Sequence, residues 1–218
     1  MNEADKKRII DNAVSFVNEL FENEFSGHDS YHTFRVLRIA QRLAKEEGAD
    51  GFIVQLAALL HDVDDVKLSP ETSAGLYRAR RFMLENHVES ETAEAVCTAI
   101  REISFKGRDS AIPSTIEGKC VQDADRLDAL GAIGVARTFA YGGSRNRLIY
   151  DPESAPKTDM SESEYRNSRS SSIGHFYEKL FLLNDMMNTP SAKKLAEERD
   201  RFMHGFVDEF LNEWNGLS

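Results

Sequence analysis

The segment from Phe52 to His61 is apolar on nearly all sides, and it ends in two polar residues, His61 and Asp62. A helix that is apolar on all sides is typically buried. Burying an unpaired carboxylate costs several kcal/mol, and a bound cation would remove that cost. The sequence therefore predicts a central buried helix whose last turn either emerges into solvent or meets a metal ion.

Helical spacing of apolar residues also dominates the rest of the chain. It predicts helices at about residues 9–21, 30–47, 71–85, 91–103, 113–127, 173–187 and 191–214. The 218 residues fit one domain. The predicted fold class is an all-α helical bundle formed by a single domain, 1–218.

The stretch from about residue 141 to 172 departs from this pattern. It contains Gly142-Gly143, two prolines and many serines, and helical periodicity is lost. A loop of this length inside a compact domain is usually functional or disordered. We expect a long loop here; the alternative is a short hairpin around residues 148–150.

Charge and hydropathy exclude several classes of function. The formal net charge is −10, and so acidic a surface repels a phosphate backbone, which argues against nucleic-acid binding. A small phosphorylated substrate remains compatible, because a bound cation reverses the local field within one pocket. No apolar run approaches the length that spans a bilayer, and Met1–Arg8 lack a signal-peptide core. We expect a cytoplasmic protein in which Cys97 and Cys120 are buried packing residues.

Further metal-capable side chains flank the apolar helix in the sequence. His32 lies one turn into the preceding predicted helix, and Asp123, Asp125 and Asp128 cluster downstream. Imidazole nitrogens and carboxylate oxygens together suit Mn, Ni, Co, Fe, Mg or Zn to different degrees. Because fewer protein ligands than coordination positions leave room for water and substrate, such a set is typical of hydrolytic sites.

The order His…His-Asp…Asp in this chain resembles the HD superfamily of metal-dependent phosphohydrolases. The first histidine stands in Gly27-His-Asp-Ser-Tyr-His32 and the pair in Ala58-Leu-Leu-His61-Asp62. Further strings resemble a bacterial subgroup of small single-domain HD hydrolases that includes a nucleoside-triphosphate pyrophosphohydrolase. They are Ile103-Ser-Phe-Lys-Gly107, Glu117-Gly-Lys, Asp123-Ala-Asp-Arg-Leu-Asp, Thr138-Phe-Ala-Tyr-Gly-Gly143 and His175-Phe-Tyr-Glu-Lys.

The resemblance implies an HD-domain helical bundle with one divalent cation. Its implied ligands are His32, His61, Asp62 and Asp125. Asp125 is chosen because it holds the Ala-Asp-Arg-Leu position of the family motif, and Asp128, one turn further on the same face, is the alternative.

We also expect particular surroundings or roles for the residues next to these ligands. Asp123 is expected at the surface or behind the ligands, and Arg126 is expected to pair with a nearby carboxylate. Asp65 follows Asp62 by three residues; in related single-metal enzymes an acidic residue at this offset orients or deprotonates the attacking water. Asp64 is expected to be solvated.

Cationic side chains would hold the phosphates of a substrate. The candidates are Lys67, Lys106 and Arg145, each of which could equally be a solvated surface charge. The segment from Glu102 to Lys106 lacks the additional histidine of two-metal HD proteins. That departure favours one cation and argues against an HD-type di-iron oxygenase.

The expected reaction is cleavage of a nucleoside or deoxynucleoside triphosphate to the monophosphate and pyrophosphate, with manganese among the candidate metals. The alternatives are a monophosphate nucleotidase, a cyclic-nucleotide phosphodiesterase or a non-catalytic nucleotide-binding module, because the fold and the metal site serve all of them. The base, the sugar and the choice between monomer and homodimer stay open.

Overall fold

The structure is a computed structural model that describes residues 1–22, 29–65, 70–103, 110–157 and 170–217. These residues form α-helices, one π-helical turn and connecting loops, with no β-strand among them. The all-α fold class is therefore confirmed. The helices are α1 (Glu3–Leu20), α2 (Ser30–Glu47), α3 (Gly51–Leu60), α4 (Pro70–Ser73), α5 (Tyr77–Glu85), α6 (Ser90–Arg101), α7 (Ile116–Asp128), α8 (Gly131–Ser144), α9 (Ser172–His175), the π-helical turn Phe176–Leu180, α10 (Phe181–Asp185) and α11 (Pro190–Trp214).

The chain forms two compact units. The first comprises Met1–Ser104 and Ala111–Asp125, and the second comprises Phe105–Ser110 and Arg126–Ser218. The single domain that the sequence predicts stays a prediction.

Helix α3 is the centre of the first unit, as its apolar sequence predicts. It packs against α1, α2 and α6, and seven of its ten residues are buried. Its start is fixed by Asp50, whose carboxylate accepts hydrogen bonds from the backbone N–H groups of Phe52 and Ile53. The helix ends at Leu60, so its buried C-terminal end presents the two following residues, His61 and Asp62.

The helix predicted at 71–85 is interrupted in the structure. It divides into α4 and α5, and Leu76 between them has a left-handed backbone conformation with φ of 52°. A residue in this conformation ends the regular hydrogen-bonding pattern, which periodicity alone does not reveal. The buried side chain of Leu76 keeps the apolar spacing intact across the break.

In the second unit, α8 and α11 pack together, and the long loop is shorter than predicted. Helix α8 continues through Gly142 and Gly143 to Ser144, so the residues from 141 to 144 are helical rather than part of the loop. Gly142 lies so close to Ser172 that an added Cβ atom would clash with the Oγ atom of that serine. A glycine there serves close packing and does not stop the helix.

No strand pair forms around residues 148–150 in the described part of the loop. The backbone N–H groups of Ser172 and Ile173 donate to the carbonyls of Leu148 and Ile149, which ties the loop to the start of α9. Within the described residues, no helix is long and apolar enough to cross a membrane. Cys97 and Cys120 are fully buried, as expected.

Candidate metal centre

His61 stands at the end of α3 with its imidazole ring held in one orientation. Its Nδ1 atom lies 2.8 Å from the carbonyl oxygen of Ala58, which can only accept a hydrogen bond. In the neutral ring, the proton is therefore on Nδ1 and the lone pair is on Nε2. Nε2 is buried and makes no hydrogen bond to any residue that the structure describes. This is the arrangement in which histidine binds a metal ion.

His32 reaches the same place from the first turn of α2. Asp29 caps this helix by accepting a hydrogen bond from the backbone N–H of His32 at 2.7 Å. The His32 side chain is 1 % exposed, and its ring centroid lies 5.4 Å from that of His61. The capped start of α2 therefore fixes the first histidine against the end of α3.

Two carboxylates complete the group. An oxygen of Asp62 lies 3.5 Å from Nε2 of His32 and 3.3 Å from Nε2 of His61. An oxygen of Asp125 lies 3.4 Å and 4.0 Å from the same two atoms. Two ligands at about 2.1 Å from one ion are about 3.0 Å apart at a right angle and about 4.2 Å apart when opposite. All four distances fall within this range. His32, His61 and Asp62 form a group that could hold one ion, and Asp125 lies beside both histidines.

The electrostatics of the group also favour a positive charge at its centre. Burial lowers the pKa of His61, but the carboxylates of Asp62 and Asp125 and the carbonyl of Ala58 outweigh it and raise that pKa to about 10. Burial raises the pKa of Asp125, but the hydrogen bond and charge of His32, with the charge of His61, lower it to about 2. The two carboxylates thus hold either a proton or a cation beside the histidines.

The two candidate aspartates of α7 have different surroundings. Asp125 lies beside the histidines, with its side chain 30 % exposed. Asp128 is buried and forms an ion pair of 2.5 Å with Arg137. Among the described residues, the side chains able to share one ion are His32, His61 and Asp62, and an Asp125 oxygen lies within 4.0 Å of both histidines. The geometry therefore favours Asp125 over Asp128 as the fourth donor.

Comparison with known proteins identifies the family. Residues 29–130 match the family model described as the HD domain. An HD-superfamily hydrolase from Bacillus thuringiensis is 45 % identical, with 96 % of this chain and 98 % of that chain aligned at a TM-score of 0.77. The chain belongs to the HD superfamily. It is therefore an enzyme, a metal-dependent phosphohydrolase.

Other solved structures extend this HD relationship. A protein from Lactobacillus plantarum is 38 % identical, with 99 % of both chains aligned at a TM-score of 0.83. YpgQ from Bacillus subtilis, solved in complex with ADP, is 34 % identical, with 96 % of this chain and 100 % of YpgQ aligned at a TM-score of 0.76. Both alignments span almost the whole length of each protein.

Two residues of α7 beside the HD ligands are buried. Asp123 is fully buried, which excludes the surface alternative and leaves the expectation that it lies behind the ligands. Arg126 is buried and donates a hydrogen bond to the main-chain carbonyl of Met186. Its pairing with a carboxylate stays a prediction. No local spacing predicts the contact with Met186, because sixty residues separate the partners.

Asp64, expected in solvent, is only 3 % exposed. Its two oxygens accept hydrogen bonds from the backbone N–H groups of Arg78, at 3.1 Å, and Ala79, at 2.9 Å. The expectation failed because the helix does not continue past His61, so helical angles do not apply at Asp64. Asp65 is half-buried, and its N–H donates to the carbonyl of Asp62 at 3.1 Å.

Of the three predicted phosphate-binding residues, Arg145 lies within the described part of the chain. Lys67 and Lys106 lie outside the described residues. Arg145 is exposed at the C-terminal end of α8, with its guanidinium 5.5 Å from the centre of the Tyr141 ring. It belongs to the second unit, whereas the four donors belong to the first.

Proposed function

We propose that His32, His61, Asp62 and Asp125 together hold one divalent cation and that this centre hydrolyses nucleotides. The observation that carries the proposal is the Nε2 atom of His61, which has no hydrogen bond among the described residues and is buried beside two carboxylates and a second histidine. A buried polar atom without a hydrogen bond costs free energy unless another partner satisfies it. A cation satisfies it and balances both carboxylates at once.

The bound ion supplies polarisation of a phosphoryl oxygen and activation of water. The protein residues around it orient the reactants. His32 and His61 present lone pairs, and Asp62 and Asp125 provide the negative charge that retains a divalent ion in a buried site. Asp125 is the most exposed of the four, so substrate and water enter on its side.

Asp65 is the proposed general base or water-orienting residue. It is half-buried and lies one tight turn after the ligand Asp62, to whose carbonyl its N–H is bonded. Asp64 is unsuited to this role, because both of its oxygens accept bonds from the start of α5. A carboxylate within hydrogen-bond reach of the water would receive its proton as the water attacks phosphorus.

The proposed substrate is a nucleoside or deoxynucleoside triphosphate. The complex of YpgQ with ADP supports a nucleotide, because YpgQ aligns over nearly all of this chain. In the proposed reaction, water adds to the α-phosphorus while the bond to the bridging oxygen breaks, which releases pyrophosphate and the monophosphate. Lys67, Lys106 and Arg145 are the proposed partners of the phosphates.

A substrate screen tests this proposal. Purified protein is incubated with nucleoside tri-, di- and monophosphates and cyclic nucleotides in Mn²⁺, Mg²⁺, Ni²⁺, Co²⁺ and Zn²⁺, and phosphate and pyrophosphate are assayed separately. We expect pyrophosphate to be released, and only from the nucleoside triphosphates. Release of phosphate from monophosphates, or cleavage of cyclic nucleotides only, would contradict the choice of bond but not the metal centre. Consumption of O₂ by a protein with two irons would overturn the hydrolytic function itself.

A further inference from the structure

Asp64 makes a long-range helix cap next to the metal centre. Helix α5 begins at Tyr77, and its N-cap residue, Leu76, makes no side-chain hydrogen bond to the helix. The backbone N–H groups of the first turn of a helix have no partner within the helix itself. Two of them, those of Arg78 and Ala79, donate to the two oxygens of Asp64, fourteen and fifteen residues away.

This cap suits a carboxylate in particular. The N-terminal end of a helix carries partial positive charge, which attracts a negative side chain. Asp64 is 3 % exposed, so its two bonds to α5 take the place of the water that burial removes. Asparagine keeps one accepting oxygen but turns an N–H group toward a second N–H donor, and alanine loses both bonds.

The cap fixes a very short stretch of chain. Asp62 is a proposed ligand, Val63 is fully buried, Asp64 is bonded to α5, and the N–H of Asp65 donates to the carbonyl of Asp62. Each of these four consecutive residues is therefore constrained by burial, by a hydrogen bond or by the proposed metal ion. The position of Asp65 relative to Asp62 therefore depends on where α5 holds Asp64.

We propose that Asp64 is a positioning residue, which holds the turn from Asp62 to Asp65 against the start of α5 and so sets where the Asp65 carboxylate lies. The inference rests on the proposed role of Asp65 in the function above. Both carboxylate oxygens of Asp64 are bonded to α5, so no direct contact with substrate or with the reacting water is assigned to it. Its effect on turnover passes through Asp65, whereas metal retention depends on the four donors.

The experiment compares Asp64→Ala and Asp64→Asn with a matched control, Asp50→Ala. Asp50 also accepts two backbone N–H groups at the start of a helix of the first unit, α3, but at the end of that helix remote from His61. Loss of a cap lowers the Tm of a chain of this size by about 2–4 °C. All measurements of turnover are made well below the Tm, at saturating Mn²⁺.

We expect kcat to fall about 10- to 100-fold in Asp64→Ala and less in Asp64→Asn, with KM and the Kd for Mn²⁺ changed less than about 3-fold. Asp50→Ala is expected to have a lower Tm than the wild-type protein but an unchanged kcat. Amide hydrogen exchange supplies a readout independent of activity: the N–H groups of Arg78 and Ala79 should lose protection in Asp64→Ala. Where Asp64→Ala does not fold, Asp64→Asn carries the same comparison.

Equal kcat in Asp64→Ala, Asp50→Ala and the wild-type protein would overturn the inference. So would loss of Mn²⁺ binding in Asp64→Ala, because the residue would then position Asp62 rather than Asp65. The variant Asp65→Asn distinguishes a failure of the positioning inference from a failure of the function proposed for Asp65. If Asp65→Asn keeps full turnover, the role proposed for Asp65 is wrong; if it loses turnover while Asp64→Ala does not, only the positioning inference fails.

Discussion

Nε2 of His32, in the first turn of α2, lies 3.4 Å from a carboxylate oxygen of Asp125, in the last turn of α7. The same oxygen lies 4.0 Å from Nε2 of His61. Three helices that are separate in the sequence thus bring their metal-capable side chains together within one compact unit. Since two carboxylates this close to two imidazole rings favour a positive charge among them, this convergence leads to the predictions below.

His61→Ala should abolish both metal retention and hydrolysis. The substitution removes the nitrogen that lies among the other three donors, and turnover should fall more than about 100-fold. Metal content after dialysis and the rate of pyrophosphate release are the two measurements. Full activity in a metal-stripped His61→Ala protein would refute the proposed centre.

Metal binding should stabilise the folded protein. At a concentration of about 100 times its Kd, a ligand specific for the folded state adds about 2.7 kcal/mol. For a chain of this size, that corresponds to about 5–10 °C in Tm. A thermal scan with and without a chelator checks this. His61→Ala is the control, since its Tm should not respond to the chelator.

Asp65→Asn should retain the metal but lose turnover. Asparagine is nearly isosteric and cannot accept a proton, so loss of a general base should lower kcat about 10²- to 10⁴-fold. Metal titration and initial rates at saturating substrate separate the two effects. An Asp65→Asn protein with wild-type kcat would show that another group activates the water.

Asp125→Ala and Asp128→Ala should have opposite consequences. Asp125→Ala is expected to weaken metal binding, because it removes one of the four donors. Asp128→Ala should keep the metal but leave Arg137 without its buried partner, which lowers the free energy of unfolding by about 1–3 kcal/mol. Urea unfolding and Mn²⁺ titration of both variants test this. Loss of the metal from Asp128→Ala alone would make Asp128 the ligand.

Acid should destabilise the protein through His175. Burial, with the charges of Lys179 and Arg147, lowers the pKa of His175 in the folded protein to about 3, from an ordinary value of 6.5. Above pH 6.5, neither state binds a proton there. Between 6.5 and 3, only the unfolded chain does, so the free energy of unfolding falls as the pH falls through this window.

Between pH 6.5 and pH 5, the loss through His175 should amount to about 2 kcal/mol. Urea unfolding at the two pH values measures it, and His175→Gln should lack this part of the decrease. An identical dependence on pH in the wild-type protein and His175→Gln would contradict this contribution of His175.

The sequence by itself determined the elements that depend on local pattern. The apolar run that forms α3, the capped start of α2 and the placement of His61-Asp62 at a buried helix end all follow from side chains within a few residues of one another. Helical spacing also predicts the all-α class. Periodicity could not find the break at Leu76, because a left-handed residue there preserves the apolar spacing while it ends the helix.

Only the tertiary structure decided the surroundings of residues of the same type. Asp125 and Asp128 are equivalent by composition and lie on one face of α7, yet the first lies beside two histidines and the second against Arg137. Asp64 is buried because helix α5, far along the chain, offers it two N–H groups. These partners lie on other helices or at their ends, so the free energy that decides the surroundings of each carboxylate depends on packing that the local sequence does not show.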